Sequence, residues 1–197
     1  MTTLPPRTLE LLVREGLDAQ EAFREHAKGR SHLFIPCDHH AVHEQLAQLR
    51  SRALTFCELG SGAGIVTIMA DLLGFEAYGA ELEPWLVERS IEIAERMESA
   101  AQFAEGTFVP ADYQDEIENL SSEFLTPTGG AHALEEFGLE LSDFDLLFAY
   151  PWPGDEVWLD ELVRRHARED ALLMTYDVCE GFRIVRAGDL PDAGDSA

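Results

Sequence analysis

The sequence predicts an α/β fold, in which a parallel sheet is covered by helices on both faces. Three observations support this prediction. Apolar runs of strand length alternate with segments of helical periodicity, these runs leave no solvated strand face, and a glycine-rich turn follows the first run. With 197 residues, 46% of them hydrophobic, the chain suits one domain, or one domain with an appended segment.

Residues 1–33 are predicted to form an N-terminal helical extension. Its first helix is expected to break at Gly16. Asp18, with Glu21 three residues later, resembles a capping box that would start a second short helix. Gly29 is expected to end that helix.

A further helix is predicted to begin after Asp38, which is a favourable N-cap residue. Val42, Leu46 and Leu49 recur at the spacing of one helix face, so we expect all three to be buried. The preceding residues 34–36 are expected to be extended.

From residue 53 onwards, strands and helices are predicted to alternate. The strands are 53–59, 76–80, 107–110, 144–150, 171–176 and 182–185, and the helices are 65–73, 84–100 and 156–167. An acidic insertion at 113–142 is expected to hold two short helices, one on each side of a break at 126–130. Residues 34–187 form the main domain in this prediction, and 188–197 form a disordered tail.

The charge of the chain is strongly negative and unevenly distributed. There are 14 basic and 38 acidic side chains, which gives a net charge of −24. Residues 1–52 hold seven of each sign, so the whole excess lies in residues 53–197. Such a surface repels phosphate backbones, and we expect no nucleic-acid partner. Cationic partners are favoured by long-range attraction, and solubility alone is the other explanation of the charge.

No metal site and no disulfide framework are predicted. The three cysteines are widely spaced and form no CxxC pair. His39 and His43 stand four residues apart on a predicted helix, but no third ligand is obvious. The N-terminus lacks the pattern of a signal peptide, and no apolar run is long enough to span a membrane. A cytoplasmic location without membrane contact is therefore expected.

The most informative motif is Glu58-Leu59-Gly60-Ser61-Gly62-Ala63-Gly64, which follows the first predicted strand. Its glycines let a ligand approach the backbone at the start of a helix. The spacing GxGxG differs from the GxGxxG of nicotinamide dehydrogenases and disfavours that class. Glu81 follows the next strand and Asp112 the one after, where carboxylates can accept hydrogen bonds from a nucleoside. Taken singly, each is equally well explained as a solvated turn or a helix cap.

These motifs resemble those of the class I S-adenosylmethionine-dependent methyltransferases, over residues 34–177. The resemblance implies a Rossmann-like methyltransferase fold with S-adenosylmethionine as cofactor, held by Glu58, Gly60, Ser61, Gly62, Gly64, Glu81, Leu82, Asp112 and Tyr113. In that family the glycine loop lies under the methionine part of the cofactor, and Glu58 would reach its amino group. Glu81 would bind both ribose hydroxyls, while Leu82, Asp112 and Tyr113 would surround the adenine.

The resemblance also bears on the C-terminal edge of the sheet. The class usually ends in an antiparallel pair of strands, but few residues follow the fifth predicted strand here. We therefore expect this edge to be shortened, or to be completed by another chain.

Two further segments bear on the methyl acceptor. Residues 34–38 resemble the lead-in segment of some protein-lysine methyltransferases of this class. Tyr150-Pro151-Trp152-Pro153 replaces the (Asn/Asp/Ser)-Pro-Pro-aromatic motif of enzymes that methylate nucleic-acid amino groups, which disfavours a base as acceptor. Tyr150 and Asp155 are the candidate catalytic residues, because an aromatic wall can align an acceptor and a carboxylate can orient an amine. A rigid turn with Asp155 as a helix N-cap is the alternative.

The sequence thus predicts an S-adenosylmethionine-dependent methyltransferase that acts on a protein side chain or a small molecule of unknown identity. The alternative is a non-catalytic nucleoside-binding module that acts as a partner or sensor. Both hypotheses predict cofactor binding, so only turnover separates them. The oligomeric state is left open.

Overall fold

A six-stranded sheet forms the centre of the molecule in a computed structural model, which describes residues 3–28, 34–120 and 128–191, with the backbone alone at 115, 116 and 118–120. The strand order is β3-β2-β1-β4-β5-β6. The strands are β1 Thr55–Leu59, β2 Glu76–Glu81, β3 Gln102–Glu105, β4 Leu146–Ala149, β5 Leu172–Asp177 and β6 Gly181–Arg186. β1 to β5 are parallel, and β6 runs antiparallel to β5. This is the α/β architecture that the alternation of apolar runs and helices predicts.

Helices cover both faces of the sheet. They are α1 Pro6–His26, α2 His39–Leu49, α3 Ile65–Leu72, α4 Pro84–Arg96, α5 Ala111–Leu120 and α6 Glu156–His166, with short 3-10 helices at Ala133–Phe137, Leu141–Asp143 and Ala187–Asp189. Phe56 of β1 belongs to the core under α1 to α4, and its neighbour Cys57 belongs to the core under α5 and α6. Because successive strand residues point to opposite faces, a strand buried on both sides is apolar throughout.

The helix predicted after Asp38 is confirmed as α2. The carboxylate of Asp38 accepts hydrogen bonds from the backbone N–H groups of His40 and Ala41, at 3.0 and 3.1 Å. Val42, Leu46 and Leu49 are all buried, as their spacing predicts. Of the two histidines on this helix, His43 accepts a hydrogen bond at Nε2 from the backbone N–H of Leu4.

The predicted break at Gly16 is wrong, because α1 continues through this residue without interruption. Gly16 is buried where α1 crosses α2 and α3: a Cβ placed there would lie 3.0 Å from carbon atoms of both His39 and Ile65. The glycine therefore serves close helix packing rather than a turn. No capping box forms at Asp18 either, since it lies inside the helix, and the predicted stop at Gly29 falls outside the described residues.

The third strand is also displaced from its prediction. β3 is Gln102–Glu105, whereas residues 107–110 contribute a single bridge, from Thr107 to His132, and then lead into α5. The tertiary pairing with β2 decides the register, and the strand propensity of Thr-Phe-Val does not. As a consequence Asp112 lies in the first turn of a helix and not at the end of a strand.

Two further boundaries differ. The helix predicted at 84–100 ends at Arg96. In the 113–142 insertion, one α-helix precedes the predicted break and short 3-10 helices follow it, with 121–127 outside the described residues.

The C-terminal edge of the sheet is formed by β6, which pairs with β5 along its full length. The described residues contain no seventh strand. The predicted tail is ordered at its start, because 187–189 form a 3-10 helix and Leu190 is buried, whereas 192–197 lie outside the described residues. Within the part of the chain that the structure describes, no helix is both long and apolar enough to cross a membrane.

Candidate functional site

A cavity of about 680 Å³ opens at the carboxyl ends of the parallel strands. Each of the five contributes a lining residue at or just after its last position: Leu59, Glu81, Gly106, Ala149 and Asp177. This is the edge at which open α/β sheets bind ligands, and the volume lies within the range of small-molecule sites.

Glu58 ties the end of β1 to the first turn of α3. It is buried, and its Oε2 accepts hydrogen bonds from the backbone N–H of Thr67, at 2.9 Å, and from the Thr67 hydroxyl. Burial raises the pKa of Glu58 to about 8, although the two bonds from Thr67 act in the opposite direction. The nearby carboxylate of Glu81 raises this pKa further.

Glu81 holds the glycine loop against the segment that follows β2. Its Oε2 accepts from the backbone N–H of Gly62 at 2.8 Å, and its Oε1 accepts from the backbone N–H of Glu83 at 2.9 Å. Burial raises the pKa of this carboxyl, and the backbone bonds oppose that rise. Each oxygen carries a second lone pair, so Glu81 retains the capacity to accept two more hydrogen bonds.

The glycine loop is held by backbone bonds to β2. The N–H groups of Gly60 and Ser61 both donate to the carbonyl of Ala80, at 3.0 and 2.9 Å. Ser61 is buried and lines the cavity, and its Oγ has no hydrogen-bond partner among the described residues. An orphaned buried hydroxyl and a carboxylate with free lone pairs fit a polar nucleoside ligand.

Six of the nine residues predicted to hold the cofactor line the cavity: Glu58, Gly60, Ser61, Gly62, Glu81 and Leu82. Gly64 does not line it; this residue is the N-cap of α3, and its N–H donates to the carbonyl of Ser61. Asp112 and Tyr113 do not line it either.

The expectation for Asp112 and Tyr113 depended on the misplaced third strand. Asp112 is exposed on α5, and Tyr113 is buried in the core beneath the Arg165 guanidinium. Gly106 and Phe108 occupy the corresponding edge of the cavity instead. The sequence does not reveal these two residues without the correct register of β3.

The other end of the cavity is aromatic. Tyr150, Pro151, Trp152 and Pro153 line it, and the Tyr150 ring lies 5.5 Å from that of Tyr176 between centroids. Partial burial, with smaller contributions from Tyr176, Cys37 and Asp177, raises the pKa of Tyr150, so its hydroxyl stays protonated at neutral pH. Asp155 also lines the cavity and is only 1% exposed, and its side chain does not cap α6.

Two lining segments were missed as site residues. Residues 34–37, which lead into α2, cover one side of the cavity, and the turn 177–179 between β5 and β6 covers another. The rule that ligands bind beyond the carboxyl ends of strands points to 177–179, since this turn follows the fifth strand.

The described lining of the cavity carries negative and no positive formal charge. It includes five carboxyl groups, those of Glu58, Glu81, Glu83, Asp155 and Asp177, and neither a lysine nor an arginine. Its one histidine, His39, is buried, which lowers its pKa to about 4 and leaves it neutral.

Comparison with known proteins gives one curated relative and many structural neighbours. No protein-family model matches the chain. A segment of 54 residues is 43% identical to a lysine N-methyltransferase from Xenopus laevis that is named for a subunit of ATP synthase, which is 27% of this chain and 24% of that protein. The alignment thus covers only about a quarter of the relative.

Solved structures match over most of the chain at low identity. An O-methyltransferase from Bacillus cereus in complex with SAH is 17% identical, with a TM-score of 0.54, over 90% of this chain and 69% of that one. An RNA methyltransferase from Salinibacter ruber in complex with S-adenosyl-L-homocysteine is 17% identical, with a TM-score of 0.51, over 73% and 78%. An SAH-bound methyltransferase from Podospora anserina is 13% identical, with a TM-score of 0.53, over 87% and 62%. The chain therefore has the Rossmann-like fold of the S-adenosylmethionine-dependent methyltransferases.

Proposed function

We propose that this protein is an enzyme that binds S-adenosylmethionine in the cavity and transfers its methyl group to an acceptor at the Tyr150 end. The observation that carries the proposal is the pairing of the glycine loop with the buried Glu81 at the carboxyl edge of the sheet. The short match to a lysine N-methyltransferase and the fold support the same activity.

In this proposal the residues of the glycine-loop end hold the cofactor. Glu81 accepts from the ribose hydroxyls with its free lone pairs, and Glu58 and the Ser61 hydroxyl serve the methionine part. Leu82 flanks the adenine, together with Phe108 in place of the residues first expected.

When bound, the cofactor supplies a methyl group on a sulfonium, which is already a good leaving group. The task left to the chain is to bring the acceptor into line with that methyl group and to exclude water. Tyr150, as a neutral phenol, can donate to or accept from the acceptor, and Asp155 can orient an amine. No strong general base is required for such a transfer.

The acceptor in this proposal is a protein side chain or a small molecule and not a nucleic acid, since the excess negative charge lies entirely in residues 53–197. The 1–33, 34–187 and 188–197 division and the cytoplasmic location remain predictions from the sequence.

Turnover tests the proposal. The protein is incubated with S-adenosylmethionine that carries a radioactive methyl group, together with cell protein and, separately, a small-molecule extract. Label is expected in one of the two fractions, and excess S-adenosylhomocysteine should suppress it. Binding without transfer to either fraction would contradict an enzyme and favour the non-catalytic nucleoside-binding module.

The role of Tyr150 is tested with a matched pair of variants. Tyr150→Phe should lower the turnover number by about tenfold, the scale of one lost hydrogen bond in a transition state, and leave cofactor affinity unchanged. Tyr176→Phe removes the same hydroxyl from the neighbouring ring, which does not line the cavity, and should leave turnover unchanged. Equal effects of the two substitutions would refute the assignment.

A further inference from the structure

The aromatic end of the cavity meets solvent at a rim of exposed apolar side chains. Ile35 is 47% exposed and Val178 is 71% exposed, and both line the cavity, as does the exposed Pro153. We call these three residues the collar. They come from three different segments of the chain. A small molecule that enters the cavity has no need of such a collar, whereas a chain that lies across the opening buries it.

The charge around the collar is negative. Asp177 precedes Val178 in the same exposed turn, and Asp155 lies behind the aromatic wall. Asp38 and Asp177 both lie close enough to Tyr176 to raise its pKa, after partial burial, which is the main cause. No lysine or arginine among the described lining residues offsets these carboxylates. An acceptor that bears a carboxylate or a phosphate is therefore repelled.

The wall behind the collar suits a long aliphatic stem with a cationic end. Tyr150 and Trp152 offer ring faces, and Pro151 and Pro153 offer stiff apolar surface. Aromatic faces attract ammonium groups, and an alkyl stem buries well against them. Of the two cationic side chains, only lysine loses its proton readily enough to become a nucleophile, because arginine stays charged at any ordinary pH.

We propose that the methyl acceptor is the ε-amine of a lysine on an extended protein segment that docks on the collar. This inference rests on the proposed function and names its substrate class. The segment covers Ile35, Pro153 and Val178, and the lysine stem passes along Tyr150 and Trp152 towards the cofactor.

Atoms and electrons balance in this transfer. The lysine ammonium first loses one proton to solvent water. The nitrogen lone pair then forms a bond to the sulfonium methyl carbon of the donor while the carbon–sulfur bond breaks, and its electron pair stays on sulfur. The products are a protonated methylamine and the neutral thioether of the donor.

Binding of short peptides tests the inference without reliance on turnover. The probe is an acetylated and amidated heptapeptide with a central Lys flanked by Leu and Ala, titrated calorimetrically into the protein saturated with S-adenosylhomocysteine. The matched probes carry Glu or norleucine at the centre, and n-butylamine represents the stem alone. The Lys peptide should bind at least about tenfold more tightly than each of the three, which corresponds to about 1.4 kcal/mol.

Charge variants at the collar sharpen the test. Val178→Lys and Val178→Asp both remove the apolar side chain but place opposite charges at the opening. Val178→Lys should bind the Lys peptide about threefold or more weakly than Val178→Asp, and the gap should shrink in about 0.5 M NaCl as the charges are screened. Leu54→Lys, at an exposed site before β1 and thus at the opposite edge of the sheet, should bind like wild type.

The outcomes separate this inference from the proposed function. If S-adenosylhomocysteine binds but the Glu peptide or n-butylamine binds as tightly as the Lys peptide, the lysine acceptor is refuted and the cofactor site stands. The same holds if the two Val178 variants bind alike. If S-adenosylhomocysteine does not bind at all, the proposed function fails and the inference fails with it.

Discussion

At the scale of single residues, two buried carboxylates organise the site. Glu58 bonds to Thr67 at the start of α3, and Glu81 bonds to the backbone of Gly62 and Glu83. Buried carboxylates are costly unless they are hydrogen-bonded, and both are. Their place at the carboxyl edge of the sheet indicates that the cost is retained for ligand binding.

Titration of Glu58 gives a prediction with a definite sign. Burial raises its pKa to about 8 in the folded protein, above the usual value in an unfolded chain, so the folded state holds the proton more tightly. The free energy of unfolding should therefore fall as pH rises from about 5 to about 8, by at most about 1.4 kcal/mol per pH unit from this group. Urea unfolding of wild type and Glu58→Gln at each pH isolates this effect, because the variant lacks the titrating group. A difference between them that is flat or grows with pH would contradict the assignment.

Gly60 and Gly64 permit a second prediction from one loop. Both have positive φ angles, 81° and 74°, so alanine is strained at either position. Around Gly60 there is no atom within 4 Å of the missing Cβ, whereas at Gly64 the Cβ would lie 2.6 Å from the Phe103 ring and 2.7 Å from Ser90. Gly64→Ala should therefore cost about 1–3 kcal/mol more than Gly60→Ala in urea unfolding. Equal costs would show that Phe103 and Ser90 yield freely.

The loop residues could be identified from the sequence because their chemistry is local. A strand, a glycine turn and a helix start follow one another within Glu58–Gly64, so no distant contact is needed to place them. Gly106, Phe108 and the 177–179 turn reach the cavity only through the arrangement of the sheet. That arrangement depends on tertiary pairing.

At the scale of elements, helices were easier to place than the edges of the sheet. α2 and α6 follow from periodicity and from the N-cap of α2, as predicted. β3 is short and has exposed residues at both ends, so its local pattern is weaker than that of the buried 107–109 stretch after it. Propensity alone therefore selects the wrong segment, and Asp112 was misplaced as a result.

The crossing of α1 with α2 and α3 can be tested at Gly16. A Cβ there would be 3.0 Å from His39 and Ile65, so a larger side chain must push the helices apart. Gly16→Val should lower the free energy of unfolding by about 1–3 kcal/mol through overpacking. Leu17→Val, at a helix position that is 56% exposed, should change it by no more than about 0.5 kcal/mol. If Gly16→Val were neutral, the close packing of α1 would be refuted.

At the scale of the whole molecule, the net charge of −24 opposes compactness. The described ion pairs use few of the 38 acidic residues, since basic residues number only 14. The sequence alone predicts this charge and the α/β class, because both depend on composition and pattern. The path of the single α1 helix and the shape of the cavity depend on packing, which a pattern does not contain.

Salt should therefore stabilise the protein. An increase from low ionic strength to about 0.5 M NaCl shortens the Debye length and weakens repulsion between carboxylates. A gain of about 1 kcal/mol would raise the thermal midpoint by about 2–4 °C for a chain of this size. KCl should give the same rise as NaCl, because screening depends on ionic strength and not on the cation. A midpoint that falls with either salt would contradict this prediction.

The most direct test of the central claim is a calorimetric titration of S-adenosylmethionine into wild type, Glu81→Ala and Glu76→Ala. Glu76 lies at the opposite end of β2 from Glu81 and serves as the matched control. We predict that wild type and Glu76→Ala bind alike, and that Glu81→Ala binds about tenfold or more weakly, the scale of a lost charged hydrogen bond. Absence of binding heat and of a thermal shift in wild type would contradict the cofactor site, and so would undiminished binding by Glu81→Ala.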